Sequence, residues 1–374
     1  MRKRILFLMS DTGGGHRAAA EAIDEAIHHL YPNTFHTFIE DLWKEHTPWP
    51  VNKIPAAYPW MIARGMPVWK LIWLMSTTLK PHKVVLPSVS PVVRRKITRY
   101  FREVQPDLII SVHPLMNHLG VKLRDRAGLR DVPFATVVTD MVTVHPVWIC
   151  PAVTLCTVPT EPARELAIRF GMPPEKVVVT GQPVSLKFAA RVADRPALRK
   201  KLGLHPERRA VLITGGGEGL GPIFEIARAI ARSVPGVELL VVTGRNRQLR
   251  RRLEGVPWEV PAHIFGFVRN MPELMGAADL LITKAGPGTI SEAFIAGLPL
   301  ILSGHIPGQE TGNVAYVREH RAGAYAEDPR QIAALAAEWL DPHRDTLQQM
   351  AKQSAALARP DAALTIARRV CDLV

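Results

Sequence analysis

Short apolar runs recur along the chain, each closing on glycine or polar residues before the spacing turns helical. In the first half, residues 4–9, 36–41, 107–113, 134–140 and 177–180 are predicted as strands, since runs of this length between turn residues suit buried parallel strands. Residues 18–29 are predicted as an alanine-rich helix and residues 97–104 as another. After a charged helix at 198–202 the pattern restarts. A strand at 210–214 leads into the turn Gly215-Gly-Gly-Glu-Gly219 and a helix at 223–231, with strands at 238–243, 263–265, 280–283 and 300–302. Strands alternating with helices imply an α/β fold of parallel sheets covered by helices on both faces. Two strand–glycine–helix openings imply two such domains with a cleft between them.

One stretch concentrates the candidate chemistry. Gly286-Pro-Gly288 breaks the chain, and Thr289 is placed to cap a helix with Glu292 at N3, a capping-box spacing. A helix N-terminus behind a glycine turn presents unpaired N–H groups and suits a phosphate. Glu292, one turn in, can accept both hydroxyls of a ribose, and Gln309, Glu310 and Asn313 follow the next strand, where a sugar hydroxyl can be held. The plainer alternative is that Glu292 closes its capping box and the glycines only turn the chain; this stretch alone does not choose. Neither glycine cluster matches G-x-G-x-x-G, and no G-x-x-x-x-G-K-[ST] is present, which disfavours an NAD enzyme or a P-loop ATPase.

The 374 residues suggest two or three domains, with an ordinary 47% hydrophobic and 22% charged content. Cys150, Cys156 and Cys371 lack metal-ligand spacing and leave an odd thiol, which fits a reducing compartment. The first apolar run is too short for a signal-peptide core, and no stretch approaches the roughly 20 apolar residues of a spanning helix, so a soluble or peripheral protein is expected.

The formal net charge of +13 is unevenly spread: between Glu45 and Glu103 there is no Asp or Glu but ten Lys or Arg, and five of the eight tryptophans lie between Trp43 and Trp73. Tryptophans on an apolar face flanked by lysines suit an anionic membrane surface. A helical flap packed on the first domain is the alternative. Nucleic acid is disfavoured, because no recognition motif accompanies the apolar stretches.

Several ordered blocks resemble a known family: Ser10-Asp-Thr-Gly-Gly-Gly-His-Arg17, Asp41-Leu-Trp-Lys-Glu45 with Trp49-Pro50, Ser111-Val-His-Pro-Leu-Met116, and Thr139-Asp140 with His145-Pro-x-Trp148. Gly215-Gly-Gly-Glu-Gly219, Gly244-Arg-Asn246, Thr283-Lys-Ala-Gly-Pro-Gly-Thr289 and Ile306-Pro-Gly-Gln-Glu310 with Gly312-Asn313 follow. Across nearly its whole length the chain resembles the monogalactosyldiacylglycerol synthases and, more distantly, the bacterial diacylglycerol glucosyltransferases and the lipid II-forming peptidoglycan transferase.

The resemblance implies a glycosyltransferase B fold, two Rossmann-like domains facing across a cleft. It places an acceptor and membrane-binding domain at 1–187, with the basic insert at about 50–95, a UDP-sugar domain at 188–345, and terminal helices at 346–374, the last returning to the first domain. It also implies metal-independent, inverting transfer of a hexose from a UDP-sugar to the free hydroxyl of diacylglycerol, with no cofactor. Galactose is the favoured hexose, with UDP-glucose and processive addition as alternatives; a non-catalytic lipid- or nucleotide-binding protein is the reading from another class. No plastid-type extension precedes Arg2, so a bacterial-type protein on the cytoplasmic face of a membrane is expected.

On the donor side the resemblance puts Phe267 and Val268 at the uracil, Gly288 and Thr289 at the α-phosphate, and Glu292 at the ribose. Gly216, Gly217 and Arg245 meet the diphosphate, and Gln309, Glu310 and Asn313 the hexose. Ordinary packing competes for Phe267 and Val268, and a structural ion pair for Arg245. On the acceptor side it implies Gly14, Gly15, Arg17, Pro50, His145 and Trp148. His16 follows three glycines at a strand end, and an unperturbed pKa near 6.5 lets it accept a proton at neutral pH. Asp140 competes as the base. Family members carry arginine after Gly-x-Pro-Val, whereas Ser185 stands there in this chain, with Lys187 as its stand-in.

Overall fold

The computed structural model describes residues 2–12, 14–49, 51–53, 73–75, 91–189 and 194–374. The chain divides into one unit of Met1–Leu186, Pro307–Gln309 and Asp361–Val374 and another of Lys187–Ile306 and Glu310–Pro360.

The first unit is built on β1 (Lys3–Met9), β2 (Phe35–Asp41), β3 (Leu108–Ser111), β4 (Phe134–Val137), β5 (Leu155–Val158) and β6 (Val177–Val179). They lie in the order β2-β1-β3-β4-β5-β6 with every pair parallel. Side chains alternate across a strand, so β1 feeds two cores. Leu6 and Leu8 pack with Ile97, Phe101 and Phe134 on one face. Ile5, Phe7 and Met9 pack with Ile23, Ile27, Ile366 and Val370 on the other. The helix Ala362–Cys371 thereby covers the same face as the helix Gly15–Leu30.

The second unit carries β7 (Arg209–Thr214), β8 (Val237–Val242), β9 (Ala262–Phe265), β10 (Leu280–Thr283), β11 (Leu300–Leu302) and β12 (Gly323–Tyr325). Their order is β12-β11-β10-β7-β8-β9, again all parallel. In open parallel sheets a ligand crevice forms past the strand ends where the order reverses. That point falls between β1 and β3 in the first unit and between β7 and β10 in the second.

Several element bounds differ from the sequence reading, for local reasons. The predicted strands 107–113 and 134–140 stop at Ser111 and Val137, where the pairing of β3 with β1 and of β4 with β5 ends. The helix predicted at 18–29 begins at Gly15. The helix behind Gly286 runs Pro287–Ile295 with Gly286 as its N-cap and no side-chain cap, so the expected Thr289 cap is not formed. Proline fits N1, where its missing N–H costs nothing, and it starts the helix three residues earlier. β5 and β12 went unread; β12 is only Gly-Ala-Tyr and carries no alternation. Pro50, residues 54–72 and residues 76–90 of the basic insert lie outside the described residues.

Candidate active site

In the first unit the chain leaves β1 at Met9 and turns into the helix Gly15–Leu30 through Gly14, whose φ of 82° is left-handed and favours glycine. A Cβ on Gly15 would meet no atom within 4 Å, so open space lies over this helix end. His16 stands beside it, half-buried. Its Nδ1 is 2.7 Å from the carbonyl oxygen of Val112 and 3.1 Å from Thr139 Oγ1. A carbonyl only accepts, so Nδ1 carries the proton and Nε2 holds the lone pair. Burial lowers the His16 pKa to about 4, against smaller opposing effects of the Val112 bond and Asp11. The ring is therefore neutral at pH 7.

His113 packs against it, ring centroids 4.6 Å apart. The Leu115 N–H donates to His113 Nδ1 at 3.3 Å, which leaves the proton on Nε2, 3.4 Å from Thr12 Oγ1. Burial and the neighbouring His16 push the His113 pKa well down. The adjoining loop is clamped: Arg17 donates from Nε and Nη2 to Asp11 at 2.8 and 2.7 Å, and the Asp11 N–H donates to Asp41 at 2.9 Å. Gly14, Gly15, His16 and Arg17 thus share one strand-end corner, although Arg17 is already committed to a carboxylate.

Asp140, Trp148 and His145 form a layer behind it. Trp148 is 1% exposed and part of the core. Its indole N–H donates to Asp140 Oδ2 at 2.7 Å, and its ring centroid lies 6.2 Å from that of His16. Trp148, assigned to the acceptor side, is thus held in the core beside His16. Asp140 is buried as well, with one oxygen held by Trp148. His145 accepts the Val147 N–H on Nδ1 at 3.1 Å and packs edge-on to Trp73.

In the second unit, the turn after β7 and the residues after β8 interlock. A Cβ on Gly244 would lie 2.3 Å from the Gly217 carbonyl oxygen, a space only glycine leaves. Arg245 donates to Glu218 at 2.7 Å, and its guanidinium lies 4.6 Å over the Phe267 ring. Phe267 remains 54% exposed, an unusual surplus for a ring meant only for packing, and Val268 beside it is half-buried.

Across the switch point, β10 is followed by Lys284, whose Nζ sits 2.6 Å from Glu310 Oε1. Lys284 lies beside both turns: its Nζ is 3.0 Å from a Cβ built on Gly286 and its Cε 3.7 Å from one on Gly216. The uncapped helix Pro287–Ile295 leaves the Gly288 and Thr289 N–H groups open, and a Cβ on Gly288 would touch nothing within 4 Å. Glu292 is half-buried without a hydrogen-bond partner among the described residues, and burial pushes its pKa up to about 7.

The residues assigned to the hexose do not behave alike. Glu310 is 3% exposed and accepts from Lys284 and from the Ile306 N–H at 2.8 Å. Asn313 is 1% exposed and donates to the Ala285 carbonyl at 2.8 Å. Both brace the turn from Lys284 to Gly286 from below, while Gln309 falls among the residues of the first unit. Ser185 donates to Glu25 at 2.7 Å, where the family arginine was missed.

Sequence reasoning overlooked His113, Thr139 and Lys284 as site residues. Each lies just past a strand end at or beside a switch point, which was the available signal. Among the described residues no group of three His, Cys, Asp or Glu could hold a metal, and no helix is long and apolar enough to cross a membrane.

The family profile described as monogalactosyldiacylglycerol (MGDG) synthase matches residues 16–184, and that of the glycosyltransferase family 28 C-terminal domain matches residues 210–366. The probable chloroplastic monogalactosyldiacylglycerol synthase of Nicotiana tabacum is 43% identical over 380 residues, spanning 100% of this chain and 71% of its own. The chloroplastic monogalactosyldiacylglycerol synthase of Spinacia oleracea is also 43% identical, spanning 100% of this chain and 73% of its own. Among solved structures, Acinetobacter baumannii MurG superposes with a TM-score of 0.63 at 15% identity, covering 99% of both chains. The two parallel sheets are those of the glycosyltransferase B fold.

The chloroplastic relatives overturn the expected cytoplasmic placement. A compartment address is read from targeting segments, and the composition of a folded domain does not record it. The fold, the two matching profiles and full-length relatives at 43% identity lead to one conclusion: the chain is a glycosyltransferase and belongs to the monogalactosyldiacylglycerol synthase family.

Proposed function

We propose that the protein transfers galactose from UDP-galactose to the free hydroxyl of 1,2-diacylglycerol with inversion, giving the β-glycoside. The observation that carries this reading is the tautomer of His16. With Nδ1 committed to Val112, Nε2 keeps its lone pair, and the neighbouring Gly15 leaves open space where its Cβ would be. The acceptor hydroxyl gives its proton to Nε2 as its oxygen bonds to the sugar C1, and the C1–O bond to the diphosphate breaks with its electron pair leaving on UDP. Asp140 acts behind it, through Trp148, as a positioning group.

The leaving diphosphate needs fixed positive charge. Gly216, Gly217, Lys284 and Arg245 supply backbone and cations there in this reading, with Gly288 and Thr289 meeting the α-phosphate at the helix end. Phe267 and Val268 take the uracil. Glu292 accepts the ribose hydroxyls, which explains a desolvated carboxyl left without a protein partner. Gln309 reads the hexose, while Glu310 and Asn313 set the turn from Lys284 to Gly286.

Membrane attachment belongs to the same proposal. The helix Pro91–Val104 buries Val93, Ile97, Phe101 and Val104 and exposes Arg95, Lys96, Arg99 and Arg102. Four cations near an anionic leaflet contribute about 1 kcal/mol each. The test is UDP release from UDP-galactose with vesicles containing diacylglycerol. Release that depends on diacylglycerol is expected; release at the same rate from vesicles lacking it would refute the acceptor.

A further inference from the structure

The second unit holds a cavity of about 400 Å³ that none of the donor-side residues lines. It opens at the other edge of the sheet. Arg209 starts β7, Asp279 precedes β10 and Pro299 precedes β11, whereas the donor turns follow the ends of these strands. The residues of β10, at about 3.3 Å each, put the two edges about 13 Å apart.

Asp279 organises its wall. Only 3% exposed, it accepts from Arg195 at 3.0 Å, Arg209 at 3.3 Å, Arg199 at 2.5 Å and the Ala210 N–H at 2.8 Å. Three guanidinium groups on one carboxylate leave a local surplus of positive charge. Arg199 is buried and spends its other donors on the carbonyls of Ala277 and Pro206, at 3.0 and 2.9 Å. Arg195 and Arg209 are different: half-exposed, each gives one donor to Asp279, and both line the cavity. The remaining N–H groups of both forks have no protein partner among the described residues.

Over the whole cavity Arg344, Glu338, Asp341 and Asp345 balance this surplus, so the positive charge is local to the Arg195–Arg209 wall. Arg344 is held by Glu338 at 3.0 Å and lies 3.7 Å from Asp341. Asp345 also lines the cavity, and its repulsion leaves the Arg195–Arg209 wall as the place where an anion settles. Two planar forks pre-aligned by one buried carboxylate suit a tetrahedral dianion, since guanidinium binds phosphate oxygens in pairs. The volume exceeds a bare phosphate, and Pro299, Trp339 and Leu347 supply apolar wall for carbon.

We propose that this cavity binds a small phosphomonoester, its phosphate gripped by Arg195 and Arg209. The site is separate from the donor turns and does not rest on their assignment.

Calorimetric titration with glycerol phosphate, in the presence and absence of UDP, tests it. One site per chain is expected, with the same affinity in both conditions and weaker binding of inorganic phosphate. Arg195→Gln/Arg209→Gln should cut the affinity at least tenfold. That double variant loosens Asp279, so Gln348→Glu, which puts a repelling charge at the cavity without touching Asp279, gives the same readout in an intact wall; circular dichroism confirms its fold. No binding up to roughly 10 mM, competition by UDP, equal affinity for inorganic phosphate, or undiminished affinity in Gln348→Glu would each overturn the proposal.

Discussion

His16 Nδ1 lies 2.7 Å from the carbonyl oxygen of Val112, and this one bond decides which ring nitrogen is free. Val112 directly follows β3, while His16 is the second residue of the helix behind β1. The bond therefore spans the point where the strand order reverses. Burial drives the ring toward neutrality and the backbone orients it, so the imidazole is unprotonated at neutral pH.

The first prediction is a pH profile. With the His16 pKa lowered to about 4, turnover should stay level from pH 8 to about 5.5 and fall only as the ring takes a proton below that. A decline centred on the ordinary value near 6.5 would show a solvated ring. Stability carries the same sign: between about 6.5 and 4 the unfolded chain binds the proton that folded His16 refuses, so stability is lost as pH falls through that window. His16→Gln should remove this part of the acid sensitivity in urea titrations.

Glu292 has the opposite sign. Its pKa is pushed up to about 7 by burial, so its contribution is intact below about 4.5 and lost as pH rises through 7. Glu292→Gln should match the wild type at pH 4.5 and be more stable at pH 8 by on the order of 1–3 kcal/mol. The same variant should bind UDP at least tenfold more weakly at pH 8, since a hydrogen bond to a charged group is worth about 1.5–3 kcal/mol. Unchanged UDP affinity would remove Glu292 from the ribose.

Lys284 and Glu310 separate structure from chemistry. Lys284→Met strands a carboxylate whose side chain is 4% exposed, at a cost of about 3–5 kcal/mol. Lys284→Met/Glu310→Leu should recover most of that stability in urea unfolding but not the transfer rate. Recovery of both would make the pair purely structural.

Gly288→Ala probes the phosphate end. A Cβ there meets no atom within 4 Å, so stability should hold or rise by up to about 1 kcal/mol, the usual gain of alanine in a helix. UDP affinity should nevertheless fall, because the methyl enters the space given to the phosphate. Equal affinity would mean that nothing approaches this helix end.

Much of this was legible from local pattern. β10 and β11 were read to the residue, because an apolar run between a polar residue and a glycine turn has few other conformations. The helix start at Gly286 was not, because Thr289–Glu292 satisfies a capping box on paper while Pro287 at N1 competes for the same turn. Ordered motifs led to His16, yet its tautomer depends on a backbone carbonyl 96 residues away. Trp148 shows the reverse limit: an aromatic in a motif block carries no sign of being 1% exposed.

The most direct test is the transfer reaction itself with His16→Ala, assayed with UDP-galactose and diacylglycerol vesicles, followed by mass and linkage analysis of the lipid. The wild type should form a β-linked monogalactosyl lipid, while His16→Ala should form none and still bind UDP with nearly unaltered affinity. Near-normal turnover by His16→Ala, with UDP binding intact, would contradict the account.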